Sequence, residues 1–186
     1  NSVGANAQIL DTYHGKLLRI NKDGSAPPDN PFPTGSAQRR RVWAYGLRNP
    51  FTFNVDQETG KIFVNDVGGS LWEEVNDATL PGRNFGWPST EGKFNQASFP
   101  TLTNPVHAYA HGTGDGVGCA IVGGAFISPS SSIYPAAYRG KYLFQESCNN
   151  WLNILALSGP APVRSPFATQ VHNKSLGLMP IILNYI

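Results

Sequence analysis

The stretch RVWAYGLRNPFTFNVDQETGKIFVNDVGGSLWEEVNDATLPGRNFGWPSTE, residues 41–91, decides the fold. Phe51 to Val55 alternates apolar and polar residues, the period of a half-buried strand. Asp56-Gln-Glu-Thr-Gly60 is a turn, and Gly60 is free to take the positive φ that such a turn uses. Lys61-Ile-Phe-Val-Asn65 returns as the second strand of a hairpin. An antiparallel hairpin brings its open ends together. Arg48-Asn49-Pro50 at its entrance and Asp66-Val67-Gly68-Gly69 at its exit are therefore expected to share one rim of a sheet. That rim would carry the guanidinium of Arg48, the amide of Asn49 and the backbone of Gly68 and Gly69.

The rest of the chain reads as further short strands. Gly15-Lys16 opens a strand that ends in the turn Asn21-Lys-Asp-Gly24, and Pro27 to Pro33 is too rich in proline for regular structure. Arg41 to Tyr45 is expected as a strand, as are Trp72 to Val75, Val106 to Ala110, Ala120 to Ser128, Lys141 to Gln145 and Trp151 to Leu157. Glycines and prolines make residues 78–105 mostly loop, and no helix is predicted. Residues 158–186, with Pro160, Pro162, Pro166 and Pro180, form a tail that the pattern does not place. Gly-Lys followed by a strand recurs at 15, 60 and 140, spacings of 45 and of 80, or twice 40. Propeller blades repeat at roughly 40–50 residues, so the echo fits a propeller. It equally fits three chance exits from turns.

Composition bounds the function classes. The chain is long enough for a single domain, residues 1–186, with a sizeable core. Hydrophobic residues at 40% and charged ones at 14% suit a globular protein. Gly and Pro together, 35 of 186 residues, and 11% aromatics favour turns and strands, an all-β class. A net charge of +2 gives no field to recruit nucleic acid or a membrane surface, and Arg39-Arg40-Arg41 reads as a solvated face. No apolar run reaches the ~20 residues of a membrane span. The chain begins at Asn1 rather than Met, as a trimmed chain with an upstream targeting segment would. Cys119 and Cys148 are compatible with one disulfide, and Asn173-Lys-Ser175 is a glycosylation sequon. The spacing of His107 and His111 suits a metal pair only on a helix, and Gly112 and Gly114 argue for strand and loop instead.

GLRNPF, NDVGGSLWEEVN and GRNFGWPSTEG resemble the soluble glucose/sorbosone dehydrogenases, quinoprotein β-propellers that use pyrroloquinoline quinone (PQQ) and calcium. GANAQILDTYHGKLLRINKDGSAPPDNPF (4–32) and CAIVGGAFISPSSSIYPAAYRGKYLFQESCNNW (119–151) fit the same family. The resemblance implies a β-propeller of four-stranded antiparallel blades. At ~45 residues per blade the length corresponds to about four blades of a six-bladed ring. N-terminal blades, or a second copy, would close it.

The resemblance also implies roles. Arg48 would stabilise negative charge on the quinone during hydride transfer, and Asn49 would contact the cofactor. The backbone carbonyls of Gly68 and Gly69 would hold the calcium that pins PQQ. Proline is usual in the family at position 69 and a polar side chain at 67, where this chain has Gly69 and Val67. Glu74 and the carbonyl of Phe85 would ligate a second calcium, with Asp77 or Glu91 as further oxygen donors. Cys119 and Cys148 would form a disulfide, placing the protein in a secreted or periplasmic compartment. None of His14, His107, His111 and His172 matches the family's catalytic histidine, and the loop Glu146–Asn150 has no counterpart of its PQQ-clamping lysine. The implied partners are a sugar substrate and an electron acceptor. Two other classes stay open: a non-catalytic extracellular propeller that binds a partner, and a lectin-like use of Trp72, Trp87 or Trp151.

Overall fold

The structure is a computed structural model that describes residues 2–159 and 161–171. Strands β1 (Lys16–Leu18) and β2 (Val42–Tyr45) pair antiparallel as a two-stranded piece. Strands β3 (Pro50–Val55), β4 (Ile62–Asp66), β5 (Trp72–Asp77) and β6 (His107–Ala110) follow as an antiparallel meander. Strands β7 (Ile121–Ile127), β8 (Lys141–Glu146), β9 (Leu152–Ala156) and β10 (Val163–Ala168) form a second. These are two complete blades of a partial β-propeller, beside a two-stranded fragment. Among the described residues the count falls below the four expected from length: residues 78–105 are mostly loop, as predicted, residues 2–15 and 19–36 add no strand, and residues 172–186 lie outside the described part.

Three local expectations are corrected. Arg41 is not in a strand: Ala37–Arg41 is a single helical turn, capped by the Ser36 hydroxyl on the Arg39 N–H at 3.1 Å. Arg41 then ties the turn to the Gly24 carbonyl and the Tyr13 hydroxyl. Trp72 to Val75 extends two residues further, to Asp77. The tail contributes β10, which among the described residues pairs only with β9. An edge strand of this kind tolerates Pro166, because one side of its ladder needs no donor. His172 and the sequon Asn173–Ser175 lie outside the described residues.

Alternation along β4 builds both sides of the core. Phe63 joins Val75 and Tyr109 of the first blade to Ile121, Tyr142, Phe144, Trp151 and Leu155 of the second. Phe63 meets Phe126 at a ring distance of 4.7 Å, and Phe126 meets Tyr142 at 4.8 Å. Each such ring contributes roughly 1.5–3 kcal/mol by leaving water. The buried Tyr142 hydroxyl donates to Asn65 Oδ1 at 3.1 Å, which fixes the register of one blade on the other. Val64 faces the other way, into a cluster with Ala44, Leu47, Ala78 and Phe85. The antiparallel order sets the start of β3, the end of β4, the start of β5 and the end of β6 along one rim. No helix of the described residues is long and apolar enough to cross a membrane.

Candidate functional site at the blade rim

The hairpin does bring its two ends together. Asp66, the last residue of β4, accepts the N–H of Arg48 at 2.9 Å and the N–H of Asn49 at 2.6 Å. The Val67 N–H donates back to the Asn49 carbonyl at 3.0 Å. These bonds aim the Arg48 side chain along the exit strand. Its Nη1 donates to the Val67 carbonyl at 3.0 Å, and its guanidinium lies 5.5 Å from the centre of the Trp87 ring. A Cβ on Gly69 would come within 3.3 Å of Arg48 Nε, so the cation stands directly against the glycine pair. Arg48 and Asn49 are both exposed at this rim.

Beside them opens a cleft lined by Arg48, Asp66, Gly68, Glu74, Phe85, Trp87, Thr90 and Glu91. Glu74 Oε1 accepts the Gly92 N–H at 2.6 Å, and its Oε2 accepts the Asn76 amide at 2.9 Å. Asn76 Oδ1 is buried and has no hydrogen-bond partner. Burial, reinforced by the charge of Glu74, pushes the Asp66 carboxyl up to about 8 against the pull of its two N–H donors. Burial pushes Glu74 up to about 7, against hydrogen bonds from Asn76 and Gly92. Two carboxyls raised into the neutral range and an orphaned amide oxygen beside Glu74 thus share the site with the Arg48 guanidinium.

Glu73 faces the opposite side of β5. It is fully buried, and burial raises its carboxyl despite the hydrogen bonds it accepts. Those come from the N–H of Gly68 at 3.1 Å and of Ile121 at 2.9 Å, with His111 at 2.7 Å. Glu73 thus ties the rim glycine to the first residue of the next blade. His111 is committed to this contact and His107 packs on Phe144 at 5.3 Å, so the two do not face one another as metal ligands. Beyond it, Cys119 and Cys148 form a disulfide with Cα atoms 5.8 Å apart. The wholly buried Glu146 gathers the N–H groups of Cys119, Ala120 and Asn149 at 2.8, 3.1 and 2.5 Å.

Of the residues expected from the sequence, Arg48, Asn49, Gly68 and Gly69 meet at one rim, and Glu74 and Phe85 share the cleft beside it. Asp77 does not join them. It holds Arg83 and the Thr79 N–H away from the cleft, because it lies on the Glu73 face of β5. Glu91 reaches the cleft, but its Oε1 is taken by four backbone N–H groups. Trp151 is buried, which leaves it no lectin-like role. The sequence reading passed over Glu73, Glu146 and the carboxylate of Asp66. For Asp66 a signal existed, since a hairpin exit facing Arg48 and Asn49 offers a carboxylate to two free N–H groups.

Comparison with known proteins accords with this geometry. The family model described as Glucose / Sorbosone dehydrogenase matches residues 1–145. The aldose sugar dehydrogenase YliI of Escherichia coli is 34% identical over 99 residues, covering 53% of this chain and 26% of that protein. The HIPL2 protein of Arabidopsis thaliana is 34% identical over 169 residues, covering 75% of this chain and 24% of that protein. The PQQ-bound aldose sugar dehydrogenase of Streptomyces coelicolor superposes with a TM-score of 0.68 at 27% identity, over 90% of this chain and 43% of that one. The chain therefore spans about a quarter of these curated relatives and under half of the solved structure. With most of its length matched by the family model and both blades matched in space, the chain belongs to the glucose/sorbosone dehydrogenase family.

Proposed function

We propose that this chain forms part of a quinoprotein sugar dehydrogenase, which oxidises the C1 hydroxyl of an aldose to a lactone. The observation that carries the reading is the meeting of Arg48 with the Gly68-Gly69 backbone at the mouth of an acidic cleft. PQQ, when bound, supplies the two-electron acceptor for the hydride leaving C1. The exposed Arg48 guanidinium keeps donors in reserve beyond its bond to Val67, and these suit a quinone oxygen that gains negative charge. Asn49 would contact the same cofactor. The hydroxyl proton passes to a base, a role for which none of His14, His107, His111 and His172 matches the family's histidine.

Calcium fits the oxygen donors that the rim and cleft hold beside the Arg48 guanidinium. The carbonyls of Gly68 and Gly69 would hold the ion beside PQQ. Glu74, the Phe85 carbonyl, Asp66 and the orphaned Asn76 Oδ1 would hold a second. The disulfide supports a secreted or periplasmic setting. The sugar and an electron acceptor are the partners, and further blades or a second copy would cover the open sheet edges.

The test uses the full-length protein with PQQ, calcium, a panel of aldoses and a dye acceptor. Sugar-dependent dye reduction is expected. Bound PQQ with no dye reduction across the panel would overturn the enzyme reading in favour of a binding propeller.

A further inference from the structure

The loop from Gly68 to Trp72, which joins β4 to β5, is folded around a single carboxylate oxygen. Glu91 Oε1 accepts the N–H of Gly69 at 2.6 Å, of Ser70 and Leu71 at 3.2 Å each, and of Trp72 at 3.3 Å. Four backbone donors converging on one anion form a nest, and an ionised acceptor strengthens each bond. Burial opposes ionisation of Glu91, but the four N–H groups outweigh it and hold the carboxyl below its usual range.

The consequence for the rim follows from peptide geometry. In a planar trans peptide an N–H and the carbonyl before it point in opposite directions. Drawing the N–H groups of Gly69 and Ser70 onto Glu91 therefore turns the carbonyl oxygens of Gly68 and Gly69 away from it. Neither oxygen accepts a hydrogen bond from any described residue. The neighbouring peptide is pinned from both ends, its Gly68 N–H by Glu73 and its Val67 carbonyl by Arg48. Two adjacent glycines would otherwise sample many backbone states.

We propose that Glu91 is a positioning residue. It holds the rim loop so that the Gly68 and Gly69 carbonyls stand ready as a pair of cation ligands beside Arg48. This rests on the calcium and quinone reading above. It differs from a role for Glu91 as a metal ligand: Oε1 is taken by the four N–H groups, and ligation through Oε2 is the outcome that the Glu91→Gln variant separates.

Two substitutions in the full-length protein separate the possibilities. Glu91→Gln keeps an oxygen acceptor and removes the charge, whereas Glu91→Ala removes both. Amide hydrogen exchange of residues 69–72 in the calcium-free protein, and calcium-dependent PQQ binding, are read for each. Glu91→Ala should speed exchange and weaken PQQ binding, each about tenfold or more, while Glu91→Gln, which keeps the acceptor but loses the charge, should fall between the parent and Glu91→Ala in both. Unchanged exchange at 69–72 in Glu91→Ala overturns the inference. So does loss of binding in Glu91→Gln with the amides still protected, which would mark Glu91 as a direct ligand. If the parent protein binds no PQQ, the functional reading fails separately, and exchange with calcium affinity still decides the role of Glu91.

Discussion

At position 68 a side chain has nowhere to go. A Cβ built there lies 1.6 Å from the Trp72 carbonyl oxygen, whereas one on Gly69 comes no nearer than 3.3 Å to Arg48 and Glu91. Gly68→Ala must displace the loop and should lower stability by roughly 2–4 kcal/mol, measured by urea denaturation. Gly69→Ala, whose neighbours are flexible side-chain ends, should cost less than about 1 kcal/mol. Equal stability of the two variants would mean that the loop does not approach Trp72 so closely. Arg48 makes a different demand. On the proposed reading, Arg48→Ala should lower kcat of the full-length, PQQ-loaded protein by about 100-fold or more, the loss seen when an oxyanion donor is removed. A change confined to KM would instead place Arg48 in substrate binding alone.

Between elements, buried carboxylates knit strand ends to the loops that leave them. Glu146 closes β8 and gathers three N–H groups of the disulfide loops, so Glu146→Ala would leave three donors without their acceptor. A loss of roughly 2–4 kcal/mol is expected in urea melts. Replacing both cysteines by serine should cost roughly 3 kcal/mol, since the bond closes a loop of 29 residues in the unfolded chain. A double cysteine variant as stable as its parent would show that Glu146 alone holds this corner. The hairpin was legible from the sequence because alternation and turn chemistry are local signals. So was the meeting of Arg48 with Gly68 and Gly69, which follows from antiparallel pairing. The role of Glu73 was not legible. Alternation sets Glu73 and Glu74 on opposite faces, but only packing of the second blade makes the Glu73 side an interior, with Ile121 in reach. β10 was hidden for a related reason. Pro166 inside it and the prolines just before it mask its strand pattern, and its place at the sheet edge, where Pro166 does no harm, is a fact of topology.

For the whole molecule, the acidic cleft joins stability to pH, and on the proposed reading to calcium, because it is framed by three separate parts. Asp66 comes from β4, Glu74 from β5, and Phe85 and Glu91 from the loop that crosses back over the first blade. In metal-free protein Asp66 stands at about 8 and Glu74 at about 7, above the ordinary values of 3.8 and 4.5. The folded chain then holds protons that the unfolded chain releases. The stability these groups give is present below the ordinary values and is lost as pH rises through about 7 to 8. On the calcium reading proposed above, the ion would reverse the balance, since it would bind the ionised carboxylates and displace their protons. Melting temperatures should therefore be compared at about pH 5.5 and about pH 8.5, each with chelator and with excess calcium. With chelator, Tm should fall from the lower to the higher pH, and the rise caused by calcium should be larger at the higher pH. Glu74→Gln, neutral at every pH, should make the chelated profile shallower, with the part due to Asp66 remaining, and should reduce the calcium effect. A calcium effect as large at the lower pH, where both carboxyls are already protonated, would show that the ion binds elsewhere and that this cleft is a structural acid pair.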